Sequence, residues 1–367
     1  MTGAIKGRGA RRNPAGRFAR HEVEATDDGW DAAVDAAGRD AGPRPATEVR
    51  DETARRIISR NSSPDVGFEQ SVNPYRGCEH GCSYCFARPT HSYLDLSPGL
   101  DFETRLTAKT NAAERLRAEL ARPGHRPTPI ALGVNTDSYQ PIERERRITR
   151  QLIEVLAEAR HPFHIITKNA LVERDIDLLA PLAAQRLVAV SLSITTLDNR
   201  LAARMEPRAS APHRRLAAVR ALGDAGIPTS VMVAPVIPAL TDHELEAILE
   251  AARDAGAGSA GYVLLRLPHE LKDLFRDWLA THMPLRAAHV MSLVQQLHGG
   301  RDYDPAFGQR MRGSGPYATL LAQRFAVATR RLGFGRHPPL EQGLFVPPAP
   351  PPKPARARPA TAQGELF

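Results

Sequence analysis

The chain has 367 residues, 42% of them apolar and 25% charged, which excludes a collagen-like and a wholly disordered chain. It has no apolar run of about 18 residues and no apolar stretch behind its basic start, so we expect a cytoplasmic protein without a membrane helix or secretory signal. The net charge of +8 lies in the tails, because residues 1–20 carry six basic and no acidic side chains and residues 347–367 a net +2. A neutral body does not indicate a general phosphate-binding face.

The two ends of the chain lack the periodicity of helices or strands. Residues 1–50 are rich in Gly, Ala, Arg and Asp, which predicts a disordered basic tail. Residues 336–367 are rich in proline and are predicted to form a second disordered tail. The residues between them, 51–335, are predicted to form one domain that ends in a helical extension.

Apolar runs alternate with helical patterns through this domain, and five of them recur about every 25–40 residues after a short strand near 68–73. The five runs are 129–134, 162–167, 186–195, 229–237 and 261–267. Continuous apolar runs are typical of parallel strands buried on both faces. The sequence therefore predicts an α/β fold, a partial (βα)6 TIM-like barrel of parallel strands, with a doubly wound open sheet as the alternative.

Helices are predicted between these strands, from Ile148 to Ala159 and over 172–184 and 213–225. Thr241 and Glu244 have the spacing of a capping box, which predicts the start of a further helix. Two more helical patterns follow residue 268 and predict helices beyond the barrel.

The chain has three cysteines, Cys78, Cys82 and Cys85, within the segment NPYRGCEHGCSYCFAR. An odd and closely spaced set is a poor disulfide framework, whereas clustered thiolates in a reducing compartment are typical of a metal site. Gly77 and Gly81 allow the tight backbone angles that wrapping three sulfurs around one centre requires. Soft thiolates favour an iron–sulfur cluster or zinc.

The number of cysteines separates two hypotheses. A 4Fe–4S cluster bound by three cysteines keeps one iron open for a substrate or cofactor. The alternative is a Cys3His zinc site, with His80 or His91 as the fourth ligand, in a nucleic-acid-binding protein without catalysis.

The Cys-x3-Cys-x2-Cys spacing, with Tyr84 directly before the last cysteine, resembles the signature of the radical S-adenosylmethionine (radical SAM) superfamily. The wider cysteine segment, TKN at 167–169 and VAPVIPALTD at 233–242 resemble the spore photoproduct lyase-related branch, often labelled DNA repair photolyases. This resemblance covers roughly residues 55–335.

The resemblance implies a 4Fe–4S cluster on Cys78, Cys82 and Cys85, with S-adenosylmethionine chelating the open iron. It also implies a 5′-deoxyadenosyl radical that abstracts hydrogen from a substrate, and an electron donor such as flavodoxin or ferredoxin. The substrate is unknown, with nucleic acid as one candidate in a lyase-like or repair-like reaction. Spore photoproduct lyase returns hydrogen through a further cysteine, which this chain lacks; Tyr93 or Tyr139 are alternative donors.

Polar residues at the ends of the predicted strands are candidates for binding S-adenosylmethionine. Asp137 stands where the superfamily often has a Gly-Gly-Glu-like motif, and its carboxylate can accept a hydrogen bond from the cofactor ammonium. Lys168 is a candidate partner of the methionine carboxylate. Ser193 and Thr195 alternate along one strand, so they share a face and can bind the carboxylate or the ribose hydroxyls.

Four further residues are assigned to the same region. Tyr84 is expected near the adenine or packed over the cluster. Arg204 and Glu206 are expected in a positioned loop that binds cofactor or substrate. Arg266 ends a predicted strand and is a candidate for an anionic group of the substrate.

Overall fold

The computed structural model describes residues 4–19 and 46–349. The remainder of both predicted tails, at 1–3, 20–45 and 350–367, lies outside the described residues. Within the described ranges the chain forms a seven-stranded sheet, a three-stranded sheet and the helices that cover them.

The strands of the larger sheet carry the architecture. Its order is β10-β9-β8-β7-β6-β3-β2, in which β2 is antiparallel to β3 and every other neighbouring pair is parallel. The smaller sheet has the order β1-β5-β4. The strands are β1 Glu48–Glu52, β2 Ile58–Arg60, β3 Gln70–Val72, β4 Tyr75–Arg76, β5 Arg105–Lys109, β6 Ile130–Leu132, β7 Phe163–Thr167, β8 Val188–Ser193, β9 Thr229–Val236 and β10 Ser259–Leu264.

The parallel strands β3 and β6 to β10 lie side by side in chain order. A doubly wound sheet reverses its strand order at a switch point, and this sheet has no such reversal among the described residues. The partial barrel is therefore confirmed, and all six predicted parallel strands are present. The last of them, β10, ends at Leu264, three residues before the predicted end.

The helices lie mainly between the parallel strands and after β10. They are α1 Asp101–Thr104, α2 Ala112–Leu120, α3 Glu143–Arg146, α4 Ile148–Glu158, α5 Ile176–Ala184, α6 Asn199–Met205, α7 Pro212–Asp224, α8 Leu245–Asp254, α9 Leu271–His282, α10 Ala287–Leu297 and α11 Gly315–Arg331. The helix predicted over 172–184 is divided, because a 3-10 helix at Ala170–Asp175 precedes α5. The sequence made no separate prediction for α11, which packs against α8 and α10.

The predicted capping box at Thr241 and Glu244 is wrong, although α8 does follow it. The Thr241 hydroxyl accepts a hydrogen bond from the backbone N–H of Ile237, 2.9 Å away, and caps no helix. The Glu244 carboxylate accepts instead from Thr196 and from the N–H of Leu197. These donors occupy the side chains of both Thr241 and Glu244, so neither side chain caps the start of α8.

The core of the barrel is apolar and continuous. On α4 the residues at helical spacing, Ile148, Leu152 and Leu156, are buried against strand residues such as Ile165 and Val190. Each fully buried aliphatic side chain contributes roughly 1.5–3 kcal/mol of burial free energy. The body is therefore rigid enough to hold polar groups in fixed places at its carboxyl end.

A short segment outside the barrel closes each of its ends. Residues 4–19 pack on the loop that carries the cysteines, where Gly9 and Ala10 are buried. Residues 335–346 run along the amino ends of the strands, since Gly335 donates to Gly258 O and Val346 to Ala159 O. These stretches, and β1 up to residue 50, fall within the ranges predicted as tails, yet backbone hydrogen bonds and side-chain contacts fix them against the body.

Candidate functional site

The three cysteines lie in one loop that begins directly after β4. Gly77 and Gly81 adopt positive φ angles of 72° and 66°. A Cβ on Gly77 would lie 2.6 Å from Leu106 Cδ2, and one on Gly81 would lie 2.7 Å from Glu103 Oε2. Both glycines are therefore required by backbone conformation and by space, as the sequence predicts.

The thiols of this loop are withdrawn from water. Cys78 and Cys82 are buried and Cys85 is partly buried. Burial raises the pKa of all three thiols, and the negative charge of the Asp137 carboxylate raises the pKa of Cys78 further. Without a cationic centre the thiols stay protonated, so the site suits a group that displaces their protons.

The arrangement does not suit a mononuclear metal. Among the described residues, no three His, Cys, Asp or Glu side chains converge closely enough to ligate one ion. His80 Nδ1 lies 3.4 Å from Asp137 Oδ2 and its Nε2 lies 3.1 Å from Asn169 Nδ2. His91 Nε2 lies 3.1 Å from Arg105 O. Neither histidine converges with the thiols on one ion within the described residues, whereas a cubane binds each cysteine at a different iron and so uses sulfurs that lie farther apart.

A buried arginine fixes the shape of the cysteine loop. Arg88 is fully buried and donates to Cys82 O at 2.9 Å and to Gly81 O at 3.0 Å. It also pairs with Glu103 at 2.5 Å. Hydrogen bonds to charged groups are stronger than neutral ones, so this clasp of Arg88 and Glu103 holds the backbone on either side of Cys82. The sequence analysis missed it, because an arginine three residues after Cys85 has no distinguishing spacing.

The amino-terminal segment completes this clasp. The Glu103 carboxylate accepts from the N–H groups of Gly9, at 2.9 Å, and Ala10, at 2.8 Å. A Cβ on Gly9 would lie only 1.7 Å from Gly81 O. The segment therefore touches the backbone of the cysteine loop directly, and only glycine allows that approach.

A second buried network surrounds Tyr84, on the inner side of the loop. The Tyr84 hydroxyl donates to Glu206 and lies 3.1 Å from Thr195 Oγ1. Glu206 pairs with Arg215, and both side chains are 1% exposed. Burial opposes the ionisation of Glu206, but the charges of Arg215 and Lys168 lower its pKa to about 2. The ring of Tyr84 is thus held by a charged carboxylate at one end of the barrel.

Three of the predicted cofactor residues meet here. Lys168 Nζ lies 5.8 Å from the centroid of the Tyr84 ring and donates to Ala234 O at 3.3 Å. Thr195 Oγ1 lies 2.9 Å from Glu206 Oε1. Ser193 is buried on β8 beside them, and its carbonyl accepts from Arg215 at 2.9 Å. Parallel strands place their carboxyl ends at one edge, which is why residues so distant in sequence gather.

The other two predicted cofactor residues are placed differently. Asp137 Oδ1 accepts from Thr167 Oγ1 at 2.7 Å, and Oδ2 accepts from Lys168 N at 2.8 Å and faces His80. Asp137 therefore ties the cysteine loop to the end of β7. The side chain of Arg204 is exposed on α6 and does not join the Tyr84 network; Glu206, two residues later, does.

Neither alternative hydrogen donor lies in this network. Tyr139 is fully buried and its hydroxyl donates to Asp175 Oδ2 at 3.1 Å. Tyr93 is 69% exposed and packs against Phe18. Of the three tyrosines considered, only Tyr84 lies beside the thiols.

The helices of the described ranges have no segment long and apolar enough to span a bilayer.

The comparisons with known proteins agree with this geometry. The model of the radical SAM superfamily matches residues 72–252. An uncharacterized protein of Mycobacterium tuberculosis is 39% identical over 287 residues, which cover 76% of this chain and 80% of that protein. An uncharacterized protein of Methanocaldococcus jannaschii is 27% identical over 191 residues, covering 52% and 68%.

Solved structures share the fold. Spore photoproduct lyase complexed with dinucleoside spore photoproduct superposes with a TM-score of 0.56 at 15% identity, over 77% of this chain and 79% of that one. A mutant of that lyase with bound AdoMet and the same dinucleoside gives a TM-score of 0.55 at 15% identity with the same coverage. At this identity the likeness supports the partial barrel alone.

Proposed function

Because the chain belongs to the radical SAM superfamily, we propose that it is a hydrogen-abstracting enzyme whose substrate is a nucleic acid. Enzymes of this superfamily use a 4Fe–4S cluster and S-adenosylmethionine and require a reductant. When bound, the cluster and S-adenosylmethionine together supply a 5′-deoxyadenosyl radical that takes a hydrogen atom from the substrate. The residues of this chain bind the cofactors and the substrate, orient them and shield them from water.

One observation carries the proposal: three cysteines of one loop, two buried and one partly buried, lie beside the buried network around Tyr84 at the carboxyl end of the barrel. The donor set fits an iron–sulfur cluster, because three soft thiolates leave one iron free of protein ligands. Ser83, which lies between Cys82 and Cys85 in sequence, also fits a bound group at this loop. Its buried hydroxyl has no hydrogen-bond partner within the described structure. A bound acceptor would satisfy that hydroxyl.

The residues near Tyr84 are assigned by charge and position. Lys168 pairs with the methionine carboxylate, because its ammonium lies 5.8 Å from the centroid of the Tyr84 ring and forms no ion pair within the described residues. Thr195 and Ser193 offer hydroxyls to the ribose or the carboxylate. Tyr84 itself packs beside the adenine or the cluster and keeps water out, with its ring fixed by Glu206. Asp137 acts through His80 on the cysteine loop.

The nucleic-acid substrate is inferred from the shared fold. The neighbouring solved structures are of a lyase bound to a dinucleoside photoproduct, and the fold is shared. This chain has no cysteine beyond the three in the loop, so it returns hydrogen by a route other than a cysteine thiol. We further propose a cytoplasmic location and a flavodoxin or ferredoxin as electron donor.

The test is anaerobic reconstitution with iron and sulfide, followed by reduction with dithionite in the presence of S-adenosylmethionine. The wild-type chain is expected to bind close to four irons, absorb broadly in the visible and release 5′-deoxyadenosine. Cys82→Ser is expected to lose the cluster and at least about 100-fold of the release, because the cluster then has too few ligands. Arg330→Gln, an exposed change on α11, is the control with unchanged release.

Two results would contradict the proposal. One is zinc without iron after anaerobic purification. The other is a reconstituted cluster that releases no 5′-deoxyadenosine from S-adenosylmethionine. Transfer of deuterium from labelled single-stranded DNA or RNA into 5′-deoxyadenosine then tests the substrate class, with labelled peptides as the comparison.

A further inference from the structure

An arginine without a polar partner stands two residues past the end of β10. Arg266 Cζ lies 4.1 Å from the centroid of the Phe86 ring. Within residues 4–19 and 46–349 its guanidinium makes no hydrogen bond and no ion pair, although the side chain is half-buried. A withdrawn charge without a counter-ion is unfavourable unless a ligand supplies one.

The buried arginines elsewhere in the described structure are all paired. Arg88 pairs with Glu103, and Arg215 pairs with Glu206. The partly buried Arg174 and Arg150 share Asp175. Arg266 differs from these four arginines because, within the described residues, Asp65 and Tyr303 act on it only electrostatically and accept none of its five N–H donors.

The position of Arg266 places it beside the cysteine loop but apart from the cofactor residues. Phe86 directly follows Cys85, so the Arg266 guanidinium that covers the Phe86 ring lies beside the third cysteine of the loop. Tyr84, with Lys168 above its ring, stands on the other side of Cys85 in sequence. An anion bound by Arg266 would thus lie next to the cysteine loop, at Phe86.

The surroundings of Arg266 distinguish between kinds of anion. A second arginine, Arg310, lies over the ring of Phe307 at 4.8 Å and is held by Asp65 at 2.5 Å. Arg310 and Arg266 are near enough to affect each other electrostatically. Phe86 is 42% exposed and Phe307 is 61% exposed. Cations interleaved with exposed rings are typical of single-stranded nucleic acid binding, where bases stack and phosphates pair with the cations.

We propose that Arg266, stacked on Phe86, binds a backbone phosphate of a single-stranded nucleic acid beside the cysteine loop. A carboxylate-bearing peptide would use the cation but would leave both exposed rings without a role. The proposal rests on the proposed function and names a subsite for its substrate. The proposal also explains how a domain without net charge binds a nucleic acid, namely through a local cationic patch.

The test uses the full-length reconstituted protein and a fluorescein-labelled twelve-nucleotide single-stranded DNA, with binding followed by fluorescence anisotropy at several salt concentrations. Arg266→Gln is expected to weaken binding about five- to tenfold at low salt and to reduce the slope of log K against log salt by about 0.7, the loss of one phosphate contact. Arg330→Gln removes the same charge from an exposed site on α11 and is expected to change the affinity less than twofold.

Phe86→Leu separates stacking from charge. It is expected to weaken binding about threefold or more at every salt concentration while leaving the salt slope unchanged, because it removes a ring and no charge. Iron content and melting temperature, measured for each variant, identify a variant that has failed to fold. The tails are common to all variants, so their contribution cancels in the comparison.

Three results would overturn the proposal. Equal losses for Arg266→Gln and Arg330→Gln would mean that only net charge matters. A loss of affinity for S-adenosylmethionine as large as that for the DNA would assign Arg266 to the cofactor. Absence of DNA binding by a wild-type protein that releases 5′-deoxyadenosine would exclude nucleic acid as the substrate, while the proposed radical chemistry would still be supported.

Discussion

The two ends of the barrel are closed in different ways. At the carboxyl end, residues 4–19 are held by the buried Arg88–Glu103 pair, next to buried or half-buried polar groups without partners. At the amino end, residues 335–346 are held by backbone hydrogen bonds and by Phe345, whose ring lies 5.3 Å from His125 and 5.4 Å from His161. The comparison indicates that buried charge fixes the segment next to the cysteine loop, whereas backbone hydrogen bonds and aromatic contacts fix the segment at the amino end.

The largest effect on this comparison is expected from Glu103→Gln. It leaves the fully buried Arg88 without a counter-ion, which is expected to lower the free energy of unfolding by about 3–5 kcal/mol and to lower the iron bound after reconstitution. Urea unfolding and iron analysis measure both. Glu158→Gln removes the exposed partner of Arg117 and is the control, with a loss below about 1 kcal/mol. Equal losses in the two variants would mean that the clasp does not hold the loop.

Phe345→Ala should act on the amino end alone. It removes a half-buried ring from two histidines, so a loss of about 2–3 kcal/mol in unfolding free energy is expected. The reconstituted variant is expected to bind iron and release 5′-deoxyadenosine as the wild type does, assayed well below the melting temperature. Loss of iron binding in a folded variant would show that the two ends are coupled.

A smaller effect is expected from pH. Burial lowers the pKa of His161 from 6.5 to about 4, so the unfolded chain binds a proton at this residue before the folded chain does. Stability is therefore expected to fall as pH decreases from about 7.5 to 5, with His161 contributing about 2 kcal/mol. His161→Gln should flatten the pH dependence of the urea midpoint in that range. A variant with the same pH slope as the wild type would reject this origin.

Much of this fold follows from local sequence. Apolar runs predict five of the six parallel strands because such strands are buried on both faces, and the sixth, β3, was predicted as a short strand near 68–73. The short strands β1, β2, β4 and β5 gave no signal, since segments of two to five residues with mixed polarity have no measurable period. The stretches 4–19 and 335–346 were missed for the same reason: backbone hydrogen bonds and ion pairs, rather than apolar periodicity, hold them.

Some residues of the candidate site could likewise be predicted from the sequence, and others could not. Tyr84, Lys168 and Thr195 meet because the ends of parallel strands share one edge, which sequence spacing reveals. Arg204 and Glu206 were proposed together, but helix α6 ends between them, so Arg204 faces solvent while Glu206 turns inward. The partners of buried charges, such as Arg215 for Glu206, depend on tertiary contacts that no motif encodes.

The contact between Gly9 and Gly81 has a consequence for comparing sequences. Any side chain at position 9 would displace the Gly81 carbonyl, which Arg88 already holds. A relative with alanine or a larger residue aligned to position 9 must therefore route its leading segment elsewhere or leave the cysteine loop uncovered. The residue at position 9 therefore distinguishes related chains whose leading segment covers the cysteine loop from those whose leading segment does not.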